Sequence, residues 1–196
     1  MERKPVNPIR MTADIEGDFV VFMTGMHIYK LWKVHKWWGN MTAMMSIMPI
    51  LFSNEAYGAL GCHYWVSLRG LLLVGYFRSF EHLEHFANDK EAPHAQAWRD
   101  FYKRMGKDGD VGLWHETYLV RAGEYEAAYG HMREPTALGA TTAAKWVPVS
   151  AKGDRAMDRR YAADRAAAAQ STTAQSNGDG AEAAQVPAST STAAAS

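Results

Sequence analysis

The amino-acid sequence predicts an α+β domain with a ferredoxin-like fold, a split βαβ (βαββαβ) arrangement around a four-stranded antiparallel sheet. The first observation is the order of patterns along the chain, which runs strand, helix, strand, strand, helix, strand. The second is that the strands are apolar on both faces, whereas helices can cover only one face of such a sheet. Because the uncovered face would expose a large apolar surface, two copies are predicted to pack into a dimeric α+β barrel.

The first strand is predicted over residues 17–29, where both alternating faces are apolar. One face carries Phe19, Val21 and Met23, and the other carries Val20, Phe22 and Met26. The first helix follows, with apolar residues at steps of three and four: Trp37, Met41, Met44, Met48 and Leu51. Pro49 lacks an N–H for the carbonyl of residue 45, so this helix is predicted to run from Val34 to Met48.

Two strands at 60–68 and 70–78 are predicted to form a hairpin that turns at Arg69 and Gly70. A second helix is predicted from Ser79, a good N-cap residue, to Asp89, with Glu81 in its first turn. Helical spacing continues over 94–106. The last strand is "DVGLWHETYLV", residues 110–120.

The chain divides into four segments by composition: a flexible N-terminus at 1–13, the barrel domain at 14–135, an extended segment at 136–150 and a tail at 151–196. The tail is rich in Ala, Ser and Thr and lacks Leu, Ile, Phe and Trp. Such a segment cannot bury enough apolar area to offset the entropy lost on ordering, so it is predicted to be disordered.

Bulk composition argues against several classes of function. The formal net charge is zero, which does not favour nucleic-acid binding. The N-terminal stretch has no apolar core of a secretory signal, and the lone Cys62 fits a reducing compartment, so a cytoplasmic location is predicted. The apolar runs at 41–52 and 71–77 are too short for a membrane span.

Three strings resemble a known family: "GMHIYKLWKVHKW", "YFRSFEHLEHFAND" and "GDVGLWHETYLV". They are similar to a monooxygenase-like family of the dimeric α+β barrel superfamily, near the antibiotic-biosynthesis monooxygenases. The resemblance covers about residues 14–135. It implies a ferredoxin-like homodimer and an oxidative role, including steps of secondary metabolism.

His115 and Glu116 in the last strand are candidate catalytic residues. Strand alternation sends them to opposite faces, so they cannot form an adjacent acid–base dyad. His35 is a second candidate base, because it lies among tryptophans between the first strand and the first helix. Arg78 is a candidate oxyanion stabiliser, since it ends the third strand beside a helix N-terminus. Structural roles for all of them remain open at this point.

The predicted substrate-binding residues are mostly aromatic and suit an apolar ligand: Phe22, Trp37, His63, Tyr64, Trp65 and Trp114. His82 and His85 share a helix face, but no third ligand stands at a telling distance, so no metal site is predicted. The sequence also has no Gly-rich phosphate loop and no paired-cysteine site. The predicted cofactor is therefore none, with haem as the alternative.

These observations predict a small dimeric monooxygenase-like enzyme that oxidises a hydrophobic metabolite, aromatic or terpenoid, without flavin or nicotinamide. Two alternatives remain. One is a haem-dependent dehydratase or lyase on the same barrel, which needs one histidine as an iron ligand. The other is a non-enzymatic dimeric protein that binds a ligand or assists a biosynthetic enzyme.

Overall fold

The computed structural model describes residues 4–89, 99, 100, 103, 108–153, 155, 156 and 158. Its strands are β1 (Met11–Ile15), β2 (Phe19–Ile28), β3 (Ala59–Ser67), β4 (Gly70–Phe77), β5 (Val111–Val120) and β6 (Ala144–Pro148). Its helices are α1 (Val34–Met45), α2 (Ile47–Leu51) and α3 (Phe80–Asn88), with short 3-10 turns at Glu55–Tyr57, Ala137–Ala140 and Val149–Ala151. Most of the helix predicted at 94–106 and most of the tail lie outside the described residues, although Arg99, Asp100 and Lys103 are helical.

The predicted α+β class is confirmed, and the main sheet is antiparallel. Its strand order is β3-β4-β2-β5, with β2 paired to β4 on one side and to β5 on the other. This order and the intervening helices are compatible with the predicted ferredoxin-like arrangement. None of the helices in the described ranges has the length and apolar character needed to cross a lipid bilayer.

One face of the main sheet packs against the helices. Val20, Leu73 and Phe77 contact α2 and α3 through a buried cluster that includes Leu51, Leu83 and Phe86. Met26, Ile28 and Leu71 form a second cluster with Met41 and Met44 of α1. Each fully buried side chain of this size contributes roughly 1.5–3 kcal/mol to stability, so these clusters hold the helices in place.

The opposite face is covered only in part. Phe19, Val74 and Tyr76 are buried beneath the chain that follows β5, including Tyr125 and Leu138. Farther along, three large aromatic side chains remain exposed: Trp65 (46%), Trp114 (41%) and Tyr118 (50%). The chain itself therefore covers one end of this face and leaves the other end open.

The first helix is interrupted earlier than predicted. It ends at Met45, and α2 starts at Ile47 with Pro49 in its first turn. A proline in the first turn of a helix lacks only an N–H that would have had no partner there. The missing N–H would otherwise bond the carbonyl of residue 45, and this is where α1 stops. The prediction of a helix running to Met48 is wrong for this reason.

The predicted hairpin is present with its turn one residue earlier than predicted, and the N-cap follows the prediction. The β3–β4 hairpin turns through Leu68 and Arg69, and Gly70 begins β4. A Cβ at Gly70 would lie 1.9 Å from the carbonyl oxygen of Met26, so only glycine fits this close approach. The side chain of Ser79 accepts a hydrogen bond from the His82 amide at the start of α3, as its N-cap role requires.

A second, two-stranded sheet is absent from the sequence prediction. β1 pairs antiparallel with β6, which places Met11–Ala13 of the segment expected to be flexible in a strand. Part of the segment at 136–150 forms the partner strand. Both strands are five residues long and carry polar residues, so neither has a distinctive periodicity. The predicted domain boundaries stay predictions.

Candidate functional site

A cleft of about 460 Å³ lies between the helix-covered face of the main sheet and helices α2 and α3. The sheet contributes Phe22, Thr24, Leu73, Phe77 and His115 to its lining. The helical side contributes Ile47, Leu51, Leu83, Phe86, Ala87, Asn88, Asp89 and Arg99. Apolar walls with a few polar groups are typical of small-molecule sites.

Another cavity, of about 310 Å³, lies between β1 and residues 122–127. Its charged lining groups are Asp14, Glu16, Glu126 and Lys152. Three of them are engaged in ion pairs, since Asp14 pairs with Lys152 and Glu16 pairs with Lys145. This cavity has no apolar wall comparable to that of the cleft. The cleft is therefore the stronger candidate for a substrate site.

His115 reaches the cleft because of its position in β5. The β2–β5 register places Thr24 opposite His115 and Phe22 opposite Thr117, all on the helix-covered face. The rings of Phe22 and His115 lie 6.0 Å apart, centroid to centroid. The imidazole is exposed in a cleft whose walls are mainly apolar, where a ligand would contact it.

Thr24 is buried directly beside this histidine. Its hydroxyl donates a hydrogen bond to the backbone carbonyl of Trp114 at 3.0 Å. This bond satisfies a polar side chain within the sheet, as burial requires. It also fixes the backbone of β5 at the residue that precedes His115, so the register that aims the imidazole into the cleft is reinforced.

The other polar end of the cleft lies at the end of α3. Asp89 follows the helix, and its Oδ2 accepts a hydrogen bond from the hydroxyl of buried Tyr57 at 2.6 Å. This bond raises the pKa of Tyr57, because the nearby carboxylate disfavours the phenolate. Arg99 also lines the cleft, on its helical side. The cleft thus carries an imidazole at one wall and a carboxylate and a guanidinium at the other.

The structure brings together two of the predicted site residues, His115 and Phe22, in the lining of the cleft. Tyr64 lies on the same face of the sheet as His115 but on β3, beyond β4, and does not line the cleft. The sequence left open which face of β5 lies under the helices, and the structure shows that it is the face that carries His115.

Four predicted residues lie on the opposite face of the sheet: His63, Trp65, Trp114 and Glu116. Glu116 accepts a hydrogen bond from the hydroxyl of Tyr118 at 2.6 Å. The rings of His63 and Trp65 lie 6.1 Å apart. These residues cannot share the cleft with His115, because neighbouring strand positions alternate between faces.

The remaining predicted residues lie away from the cleft. His35 is exposed in the first turn of α1. Trp37 donates a hydrogen bond from Nε1 to the carbonyl of Leu31 at 2.9 Å. It packs against the buried cluster that includes Met41 and Met44 of α1 (the α1 cluster). Arg78 donates from Nη1 to the carbonyl of Glu16 at 3.2 Å. The histidine pair His35 and His115 and the arginine Arg78 therefore do not form one site.

Sequence reasoning missed Thr24, Asp89 and Arg99 as lining residues. Thr24 had a usable signal, because it is the polar member of the alternating set Val20, Phe22, Thr24 and Met26. Asp89 and Arg99 had none, because no local sequence pattern indicates that these two residues line the cleft.

Metal ligation finds little support in the described part of the chain. There, no cluster of three or more histidine, cysteine, aspartate or glutamate side chains has a spacing that suits a metal ion. His82 is engaged instead with the N-cap residue, since its Nδ1 lies 2.8 Å from Oγ of Ser79. Cys62 is buried, and burial raises the pKa of its thiol to about 12.

Comparison with known proteins adds one finding. A family model described as "Monooxygenase af470-like" matches residues 19–138, which run from β2 into the 3-10 turn at Ala137–Ala140. The match covers more than half of the chain and includes every described lining residue of the cleft. Searches of the curated proteins and of the solved structures gave no match.

Proposed function

The chain belongs to the monooxygenase af470-like family, and we propose that it oxidises a hydrophobic small molecule bound in the cleft between β2, β5 and α3. The substrate class is aromatic or terpenoid, and the reaction needs neither flavin nor nicotinamide. The observation that carries the proposal is the position of His115, an exposed imidazole in a cleft whose walls are mainly apolar.

The lining supports an apolar substrate. Phe22, Leu51, Leu73, Leu83 and Phe86 provide walls that gain from contact with hydrocarbon or aromatic carbon. The cleft, of about 460 Å³, is in the range of small-molecule sites. The polar groups on the two walls, His115 on one side and Asp89 and Arg99 on the other, would then orient the molecule.

In the proposed reaction, His115 removes a proton from a methylene group whose carbanion is delocalised through adjoining aromatic rings onto a conjugated carbonyl oxygen. The carbanion passes one electron to O2, and the resulting radical pair combines to a peroxide, which takes the proton back from His115. Loss of water from the hydroperoxide leaves a ketone. One oxygen atom stays on carbon, and the other leaves as water with both hydrogens of the methylene.

Developing negative charge on the substrate needs a cation or a hydrogen-bond donor nearby. Arg78 was predicted to have this role, but its guanidinium donates to the carbonyl of Glu16 instead. Arg99 lines the cleft and is the better candidate. The proposal uses no flavin or nicotinamide because the sequence offers no Gly-rich phosphate cradle for either.

We also propose that the active form is a homodimer. The open end of the sheet face opposite the cleft exposes Trp65, Trp114 and Tyr118, an aromatic surface that a second copy would cover. Because this face lies on the other side of the sheet from His115, such packing would leave the cleft accessible.

A haem-dependent reaction is the second candidate, and the same histidine favours it, since His115 would be the iron ligand in an apolar pocket. An axial histidine usually donates its second ring N–H to an acceptor. Within the described residues, no hydrogen bond to the His115 ring is seen, so this candidate has less support than the cofactor-free reaction.

The test combines an absorption spectrum with oxygen uptake. The purified full-length protein is first examined by UV–visible spectroscopy with and without added haem, and a Soret band that shifts on reduction would replace the cofactor-free mechanism. Oxygen consumption is then measured with a panel of polycyclic phenols and terpenoids.

Two histidine variants make this test specific. His115→Ala is expected to lower turnover by about a hundredfold or more, the usual contribution of a general base. His35→Ala is the comparison, because it removes an exposed imidazole outside the cleft and should leave turnover within about twofold. Equal activity of His115→Ala and the unsubstituted protein would remove the proposed mechanism. Ligand binding without oxygen uptake would favour the non-enzymatic alternative.

A further inference from the structure

One end of the main sheet carries protruding apolar side chains with cations between them. We call this the basic-aromatic edge and define it as Tyr29, Lys30, Trp32, Lys33, Val34, Lys36, Trp38, Leu68 and Arg69. Its parts come from the turn after β2, the first turns of α1 and the tip of the β3–β4 hairpin. We propose that this edge binds the surface of a membrane that contains anionic lipids. The proposal stands independently of the proposed activity.

The apolar side chains of the basic-aromatic edge are strongly exposed to solvent. Leu68 is 81% exposed and Trp32 is 75% exposed, the two highest values among the large apolar side chains of the described residues. Trp38, Tyr29 and Val34 are also exposed. Single apolar side chains on a surface are ordinary, but a concentration of them on two adjacent loops is not.

Hydrogen bonds hold the turn after β2 and the tip of the β3–β4 hairpin together. The amide of Ile28 donates to the carbonyl of Arg69 at 2.7 Å, which ties the end of β2 to the hairpin tip. The amide of Tyr29 donates to the carbonyl of Asp110 at 3.0 Å. The protruding side chains of Trp32 and Leu68 therefore sit on fixed supports at one end of the sheet.

The turn that carries Trp32 has a hydrogen-bonded conformation. The amide of Lys33 donates to the carbonyl of Lys30 at 3.1 Å, so Leu31 and Trp32 occupy the centre of the turn. Leu31 packs inward against the α1 cluster, and its carbonyl accepts the Trp37 hydrogen bond. Leu31 is partly buried by this packing, whereas Trp32 is 75% exposed. Val34 and Trp38, one helical turn apart, extend the apolar surface along α1.

The basic-aromatic edge also carries more positive than negative charges. Lys30 and Lys33 bind the two carboxylate oxygens of Asp110 at 2.7 and 2.6 Å, and Lys36 binds Asp108 at 2.6 Å. Arg69 is exposed at the hairpin tip and has no ion pair among the described residues. Lys30, Lys33, Lys36 and Arg69 thus exceed Asp108 and Asp110 by two positive charges. This excess favours a negatively charged partner.

A lipid surface fits this combination better than a protein groove. Tryptophan and tyrosine prefer the headgroup region, where an apolar ring and a polar N–H or O–H are both accommodated. Lysine and arginine next to them gain from anionic headgroups, and their stems add apolar contact. Its most exposed side chains, Trp32 and Leu68, lie on a turn and a hairpin tip, positions from which they can insert between headgroups.

The experiment measures binding of the full-length protein to vesicles by co-sedimentation. One set contains phosphatidylcholine alone, and the other is an equimolar mixture of phosphatidylcholine and phosphatidylserine. Binding is expected to the mixed vesicles, to weaken as salt is added, and to shift the tryptophan emission to shorter wavelength. Absence of sedimentation with either set, or equal binding to both, would overturn the proposal.

Variants locate the binding surface. Replacing Trp32 and Leu68 together with Ser is expected to weaken binding about tenfold or more, since both side chains would lose their apolar contact with lipid. Arg69→Gln should weaken it about fivefold, the contribution of one basic residue near an anionic surface.

Leu119→Ser is the matched control, because Leu119 is also strongly exposed but lies at the opposite end of the sheet, where it pairs with Val20. It should bind like the unsubstituted protein. Unchanged binding of the Trp32 and Leu68 double variant, with an unchanged circular dichroism spectrum, would exclude this edge. Loss of self-association in that variant instead of loss of lipid binding would assign the edge to a protein contact and overturn the proposal.

Discussion

The hydroxyl of Tyr57 lies 2.6 Å from Oδ2 of Asp89, so one short hydrogen bond joins the 3-10 turn before β3 to the end of α3. Tyr57 is buried and also packs edge to face on Phe86, with ring centroids 5.1 Å apart. The bond therefore fixes the position of the Asp89 carboxylate, which lines the cleft. Substitutions at this pair affect both the stability of α3 and the shape of the cleft.

Tyr57→Phe is expected to lower the free energy of unfolding by about 1 kcal/mol at pH 8, because Asp89 loses its donor. The pKa of Tyr57 is raised by Asp89, so the stabilising contribution is present below the ordinary tyrosine pKa of 10.0 and is lost as the pH rises through the raised value. Urea unfolding of both proteins at pH 8 and at stepwise higher pH should show the difference disappear.

Tyr118→Phe is the control for this prediction. Tyr118 donates to Glu116 at the same distance of 2.6 Å, but both residues are exposed. Removing its hydroxyl should change the unfolding free energy far less than Tyr57→Phe does. Equal losses for the two variants would mean that burial of Tyr57 does not strengthen its bond to Asp89.

Ala87→Phe tests whether the cleft is the binding site. Ala87 is exposed and lines the cleft from α3, so a phenyl ring there would obstruct the space without disturbing the core. Affinity for an apolar ligand is expected to fall at least about tenfold, while the melting temperature changes little. Isothermal titration with a polycyclic phenol measures the affinity. Ala151→Phe, an exposed position outside the cleft, should bind as before.

Asp110→Asn tests the ion-pair cluster beneath the basic-aromatic edge. The Asp110 carboxylate is 1% exposed, and the side chains of Lys30 and Lys33 lower its pKa to about 2. A lowered pKa contributes stability that is present above the ordinary value of 3.8 and is lost as the pH falls through about 2. Thermal unfolding should show a lower melting temperature for the variant at pH 7, and the gap should close in strong acid.

Asp108→Asn separates the effect of burial from that of charge. Asp108 binds Lys36 at 2.6 Å but is 57% exposed, so its substitution should lower the melting temperature much less than Asp110→Asn does. If Asp108→Asn destabilised the protein as much as Asp110→Asn, the buried position of Asp110 would not be what makes its pairing important.

Trp114→Glu tests the proposed dimer. The Trp114 ring lies against Gly25, where an added Cβ would come within 2.5 Å of it, and the ring forms part of the open aromatic surface. A buried negative charge at this surface should raise the dimer dissociation constant at least about tenfold, as seen for central interface residues. Sedimentation equilibrium measures this constant. Trp32→Glu, exposed at a different edge, should leave it unchanged, and a monomeric unsubstituted protein would refute the dimer.

The main sheet was predictable from the sequence because its strands are long and strongly patterned. The ten residues of β5 alternate in character, and the glycine beside the β3–β4 turn marks a hairpin. The end of α1 was predicted three residues too late. A proline is tolerated just after the end of a helix and also in the first turn of a following helix. The packing of Ile47 and Leu51 into the buried cluster favours the second position for Pro49.

The candidate site was predictable only in part. Alternation in β5 separated His115 from Glu116, but which face meets the helices depends on the net packing of both sides of the sheet. Asp89 and Arg99 reach the cleft through tertiary packing that no local pattern records. The aromatic positions Trp65 and Trp114 were recognised as binding residues by type, and type alone does not distinguish a ligand pocket from a surface for another copy.

The pairing of β1 with β6 has a consequence for the order in which the protein folds. These strands come from opposite ends of the described chain, so their hydrogen bonds close a very long loop and are expected to form after the β2, β4 and β5 pairings. They are also expected to open first, because each strand is short. Hydrogen exchange should therefore be faster at Thr12 and Val147 than at Val20 and Leu73, and the transient opening would expose the apolar end of the sheet around Phe19 and Tyr76 to neighbouring chains.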